Sequence, residues 1–211
     1  MEIEQIAPHL WWWTAAHPDW GPDAFKDGQG WARDVSSYAL VEGGALVLFD
    51  PLVPAEDEST FWAALDTDVD EHGPPAILLT VFWHARSSRE IFDRYEGTTV
   101  WAHEPSLEEV GKRAPVTNVF AAGDELPGGV EPLAMHHMDE AAFWIPSHRE
   151  LVFGDSVLGY EGRAELCPAA WLRDGESQKG LEASVRQALE RDPEWLLLTH
   201  GGPRPASWLQ L

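Results

Sequence analysis

The 211-residue chain has a single cysteine, Cys167, so it can form no internal disulfide and no cysteine-rich zinc site. Basic residues are scarce too: 14 lysines and arginines face 36 aspartates and glutamates, giving a formal charge of −22. Such a field repels phosphate backbones and anionic lipid, so neither nucleic acid nor a membrane surface is an expected partner. No apolar run approaches the roughly 18 residues that a membrane span needs. The opening "MEIEQIAPHLWWW" is acidic where a signal peptide is basic, and a cytoplasmic location is expected. Repeats, low-complexity segments and linker-like shifts of composition are absent. So is any "GxSxG" elbow, which argues against a serine nucleophile at Ser87 or Ser88.

What is present is globular. Hydrophobic residues make up 44% and charged residues 24%, and residues 1–211 read as one domain. The first half reads as strands. "HLWWWTA" alternates, placing Trp11 and Trp13 on one face and Trp12 on the other. "SYALVE", "GG" and "ALVLFD" form a hairpin signal. "PAEDESTFWAALD" predicts a helix with Phe61, Ala64 and Leu65 on one face. Elements then alternate. "PPAILLT" reads as a strand buried on both faces, and "SSREIFDRYEG" as a helix with serine cap candidates that stops at Gly97. "TTVWAH", "VEPLAMHH", "AAFWIP", "ELVFGD" and "EWLLLTH" are further strands, and "SQKGLEASVRQALERD" is the clearest helix. This order predicts an α/β fold with two sheets packed face to face and helices outside.

Polar residues stand at several strand ends. Asp155 follows "LVFG", His200 follows "LLLT", and His136 and His137 close "LAM". Ligand-type groups at strand ends, followed by small residues, are how a rigid sheet presents chemistry to a shared cleft. His84 follows the apolar run "AILLT" in the stretch "VFWHARSS", and His103 ends "TTVWAH". Of the 12 tryptophans most are expected to fill cores, while Trp83 and Trp144 lie beside the proposed site and could wall a pocket. The "WWW" strand must present one face outward, which suggests a homodimer contact or a pocket rim. Cys167 beside Pro168 reads as a buried, idle thiol.

The succession "SYALVEGGALVLFDP", "AILLT…HARS", "HHMDEAAFWIP", "ELVFGDSVLG" and "WLLLTHGG", spanning Ile3 to His200, resembles the metallo-β-lactamase fold superfamily of hydrolases. The resemblance implies a four-layer αββα sandwich of two mixed sheets, with a metal site along one edge. It breaks at the motif His-x-His-x-Asp-His. Aligned on His84, the four positions become Phe82, His84, Arg86 and Ser87; aligned on Thr80, they become Val81, Trp83, Ala85 and Arg86. Phe and Trp offer no lone pairs, and Arg stays protonated, so a two-metal site is not expected.

Two readings follow from the resemblance. In one, a single zinc or iron ion is held by His84, His137, Asp155 and His200, and activates water against a small ester, thioester or lactam. Arg86 then orients an anionic group or the water, and Asp50 supports the site from behind. In the other, no metal is bound, Arg86 pairs with Asp155 in its place, and the pocket takes a small-molecule ligand.

Overall fold

The computed structural model describes residues 3–21 and 31–211. The tryptophan-rich segment forms β2 (Leu10–Ala16), which pairs with β1 (Glu4–Ala7) and β3 (Asp34–Glu42). The expected hairpin joins β3 to β4 (Ala45–Phe49) through Gly43 and Gly44, both at positive φ. From β4 the pairing turns parallel, through β5 (Ala76–Leu78), β6 (Thr99–His103) and β7 (Asn118–Phe120). These strands make one seven-stranded mixed sheet in the order β1 to β7.

A second sheet uses β8 (Glu131–Ala134), β9 (Ala141–Ile145), β10 (Glu150–Phe153), β13 (Trp195–Leu198) and β14 (Gly202–Pro205). Its order is β14-β13-β10-β9-β8, with the β10–β13 pair parallel. Beside it β11 (Val157–Tyr160), β12 (Arg163–Leu166) and β15 (Leu209–Gln210) form a small three-stranded sheet.

The helices are α1 (Glu58–His72), α2 (Ser88–Arg94), α3 (Leu107–Gly111) and α4 (Gln178–Leu189). Three apolar clusters define the layers. Trp13, Phe61, Leu65, Ile77, Ile91 and Val110 pack α1, α2 and α3 onto the outside of the first sheet. Tyr38, Phe49, Phe120, Phe143 and Val152 fill the space between the sheets. Phe153, Leu181, Val185 and Leu196 pack α4 onto the outside of the second. Burying each of the large side chains contributes about 1.5–3 kcal/mol. The alternation of β2 sends Trp11 and Trp13 to the α1 side and Trp12 to the inter-sheet core.

Two local expectations change. Ser87 precedes α2, but its hydroxyl accepts the Val53 N–H at 3.0 Å instead of capping the helix, and α2 ends at Arg94, short of Gly97. Trp144 belongs to the cluster under α4 and takes no part in the cleft described below, because its position in β9 faces outward from the sheet pair.

The sheets are tied together at one edge. Ser36 N–H donates to Thr199 O at 2.8 Å, Ala141 N–H to Thr80 O at 2.8 Å, and the Tyr38 hydroxyl to Leu198 O at 2.9 Å. At this edge β4, β5, β10 and β13 all present their carboxyl ends, the place where open α/β sheets hold ligands.

Candidate metal centre and its cleft

Those strand ends deliver the polar residues of the site: Asp50 just after β4, Thr80 and His84 after β5, Asp155 after β10, and His200 after β13. His84 rides on a short 3-10 turn, Phe82–Ala85, and is buried. Its Nδ1 lies 2.9 Å from Asp50 Oδ2, and its Nε2 3.3 Å from Asp155 Oδ1. His200 Nε2 is 3.0 Å from the same Asp155 oxygen. His84, Asp155 and His200 therefore bring three ligand atoms within 4.8 Å of one another.

Asp155 is aimed from two sides. The Trp83 indole N–H donates to Oδ2 at 2.5 Å, leaving Oδ1 toward the histidines. The backbone carrying it is held by Glu140, whose buried carboxyl accepts N–H groups from Gly154 (3.0 Å), Asp155 (3.0 Å) and Ser156 (2.8 Å). Gly154 is required by packing: a Cβ there would lie 2.5 Å from Thr80 Oγ1. Burial and the Asp155 charge push the Glu140 carboxyl up to about 8. Burial works against the Asp155 charge, but His84 and His200 outweigh it and hold its carboxyl well below the usual carboxylate range. Burial and Arg86 oppose a proton on His84, yet Asp155 and Asp50 prevail and raise its pKa. His200 goes the other way, lowered chiefly by burial.

Asp50 stands behind His84. Oδ1 accepts the Thr80 N–H at 2.9 Å, and Oδ2 accepts the hydroxyls of Thr80 (2.5 Å) and Thr199 (3.2 Å). Its φ of 46° lies in the left-handed region, as does the φ of 33° at Arg86. Two non-glycine residues held at positive φ mark local strain at this edge.

The cluster tests well for a divalent cation. Two imidazole nitrogens and a carboxylate oxygen suit zinc or ferrous iron, and ligands of a tetrahedral ion at about 2.0–2.1 Å stand roughly 3.3 Å apart. The observed separations from Asp155 Oδ1 are 3.0 and 3.3 Å. That oxygen is buried and makes no well-formed hydrogen bond, although two imidazole nitrogens face it. The same arrangement serves as a buried histidine–carboxylate cluster and matches the spacing of ligands around one cation.

The remaining sequence candidates fall elsewhere. His137 is buried outside the three-residue cluster, with Nδ1 3.4 Å from Glu176 Oε2 and Nε2 3.9 Å from Cys167 Sγ. Of the four expected ligands the structure brings three together, His84, Asp155 and His200, and leaves His137 beside Glu176 and Cys167. Burial pushes the Cys167 thiol up, which suits an idle thiol. His103 stacks on Phe120 and bonds Asp139 O at 2.9 Å. The forked Arg86–Asp155 pair is not formed. Arg86 Nη1 donates instead to the carbonyls of Asp50 (3.1 Å) and Ser36 (3.4 Å), and Asp155 Oδ2 is taken by Trp83.

The cluster opens on a cleft of about 680 Å³, lined in part by His17, Trp31, Trp83, Arg86, Arg113 and Trp171. The rings of Trp31 and Trp171 stand 6.3 and 6.2 Å from that of His200 and 6.2 Å from each other. No sequence motif marks Trp31 or Trp171, and only the tertiary fold brings them to the site. Thr80 and Thr199 did carry a signal, each ending an apolar strand as "LLT".

No protein-family model matches the sequence, and no curated protein does. Solved structures do. A metallo-beta-lactamase from Pontibacter korlensis superimposes with a TM-score of 0.72 at 16% identity, covering 98% of this chain and 94% of that one. One from Hirschia baltica gives 0.68 at 15%, covering 98% and 93%. The metallo-beta-lactamase FIM-1 from Pseudomonas aeruginosa, in its mono-zinc form, gives 0.66 at 11%, covering 98% and 90%. The chain has the metallo-β-lactamase fold. On it stands a three-residue candidate site, His84, Asp155 and His200, in place of the full ligand motif.

Proposed function

We propose that the protein is a hydrolase that holds one divalent ion, zinc or ferrous iron, on His84, Asp155 and His200, and cleaves a small ester, thioester or lactam. The observation that carries this is the convergence of two buried imidazole nitrogens on Asp155 Oδ1, an oxygen without a well-formed hydrogen bond. Three protein ligands are the number typical of catalytic rather than structural zinc, since a further position stays open. A neighbour of the same fold is described in a mono-zinc form, so one ion on this scaffold has a precedent in another protein.

When bound, such an ion supplies Lewis acidity and makes water acidic enough to attack at neutral pH. The chain supplies the rest. Asp50 Oδ2, 2.9 Å from His84 Nδ1, is placed to accept its hydrogen, which would leave the Nε2 lone pair free for the ion. Trp83 fixes Asp155 Oδ2 and Glu140 fixes the backbone beneath it, so the oxygen and both nitrogens are positioned before any substrate arrives. The aromatic walls of Trp31, Trp83 and Trp171 favour a substrate with an apolar body.

The test is thermal unfolding followed by assay. Zinc added to chelator-treated protein should raise Tm, because an ion bound only by the folded state stabilises it. The zinc-loaded protein should then hydrolyse at least one of a nitrophenyl ester, a thioester and a chromogenic lactam. No Tm change and no turnover would leave a ligand-binding protein as the better description.

A further inference from the structure

Glu150 opens β10 at the end of the sandwich remote from Asp155 and His200, which follow the other ends of β10 and β13. It shares a face of β10 with Val152 of the inter-sheet core, so its carboxyl enters the layer between the sheets. The residue is 5% exposed, and its Oε2 is enclosed without a partner. Oε1 accepts no hydrogen bond either but is not enclosed in this way, and the residue lines a cleft of about 330 Å³. The adjacent arginine turns away: Arg149 pairs with Asp192 at 2.6 Å and Glu194 at 2.5 Å. Buried carboxyls are paired in nearly all proteins, because an unpaired one is costly.

The rest of the cleft is aromatic and apolar. Trp12 and Trp195 line it from the two sheets, with Ile6 and Leu197 beside them. The Trp12 N–H already donates to Ser36 Oγ at 2.9 Å, so its ring offers the cleft carbon surface alone. Trp195 is 43% exposed, an indole left open to solvent at the mouth of an acidic pocket. Arg204 is the one cationic side chain lining the cleft, and it too is directed elsewhere. Its Nε donates to Tyr160 O at 3.2 Å and its Nη1 to Pro203 O at 2.7 Å. The exposed Glu4 adds a second acid to the lining. A carboxylate and indole rings in one cleft are the combination that recognises an organic cation, through a charge-assisted hydrogen bond and cation–π attraction. The volume stands at the lower end for ligand sites, which fits a small molecule.

From these observations we infer that this cleft binds a small aromatic amine, with the ammonium group on Glu150 Oε1 and the apolar body against Trp12 and Trp195. The inference does not rest on the hydrolase reading. The two sites lie at opposite ends of β10, and this one requires no metal.

The experiment is calorimetric titration of the protein with 2-phenylethylamine and with its uncharged analogue 2-phenylethanol, at about pH 8.5. Burial and the Glu194 charge push the Glu150 carboxyl up to about 8, so at that pH it is mostly ionised while an alkylamine is still protonated. The amine should bind about tenfold or more tightly than the alcohol. Glu150→Gln keeps the shape and removes the charge; it should abolish that preference while leaving alcohol binding within about twofold. Trp195→Ala, at an exposed position that the fold tolerates, should weaken both ligands severalfold. Equal affinity for the two ligands in the unmutated protein would overturn the inference, as would no amine binding up to about 10 mM. A folded Glu150→Gln variant that kept the full preference would overturn it too. If that variant fails to fold, Trp195→Ala decides the placement: unchanged affinity for both ligands would put them elsewhere on the protein.

Discussion

Asp50 Oδ2 lies 2.9 Å from His84 Nδ1, and the same carboxylate gathers the Thr80 amide and the hydroxyls of Thr80 and Thr199 from two different sheets. The carboxylate thus fixes the one proposed ligand that comes from the segment where the metallo-β-lactamase motif is missing. Orienting partners of this kind typically contribute 10–100-fold in metal affinity. Asp50→Asn should therefore weaken zinc binding by about tenfold or more in competition with a fluorescent chelator. Unchanged affinity in a folded variant would remove Asp50 from the account.

Trp83 donates to Asp155 Oδ2 at 2.5 Å across 72 residues of sequence. Hydrogen bonds to a charged acceptor contribute about 1.5–3 kcal/mol when buried. Trp83→Phe keeps most of the ring and deletes the donor. Urea denaturation in chelator should show a loss of about 1–2 kcal/mol, and no loss would mean that the bond contributes nothing to holding Asp155.

Glu140 satisfies three consecutive buried N–H groups. Glu140→Ala orphans all three and should cost about 3 kcal/mol or more by the same denaturation measurement, since each unsatisfied buried group costs about 1–3 kcal/mol. Glu140→Gln retains one acceptor oxygen and should lie between the two. Equal stability of Glu140→Ala and the unmutated protein would contradict the role assigned to this carboxyl.

Glu150 sits far from the site, buried, with Oε2 unpartnered. Burial, helped by the Glu194 charge, pushes its carboxyl up to about 8. A carboxyl raised on folding binds its proton more tightly in the native state, so its contribution is complete below about pH 4.5 and is lost as pH climbs through about 8. Glu150→Gln should leave stability little changed at pH 5 and raise it at pH 9 by a few kcal/mol, with about 5 kcal/mol as the upper bound set by the shift. A variant with the same pH dependence as the unmutated protein would refute this.

The fold was readable because its signals are local: the period-2 alternation of "LWWWTAA", the glycine pair after Glu42, and the apolar runs that become β5, β10 and β13. Asp155 and His200 could be found as polar residues just past such runs. The surroundings of His137 could not be read, because a histidine at a strand end looks the same whether it turns to the cleft or, as here, to Glu176 and Cys167. The contacts of Arg86 could not be read either. Its guanidinium bonds backbone carbonyls, and backbone carbonyls leave no trace in residue identity. Trp31 and Trp171, 140 residues apart, meet only through the tertiary fold.

The most direct test of the central claim is elemental analysis of the protein purified without chelator, alongside His200→Ala. One equivalent of zinc or iron per chain, lost in the variant while its circular dichroism is unchanged, is the expected result. Absence of metal even after incubation with excess zinc, or full retention of it in His200→Ala, would contradict the three-ligand centre.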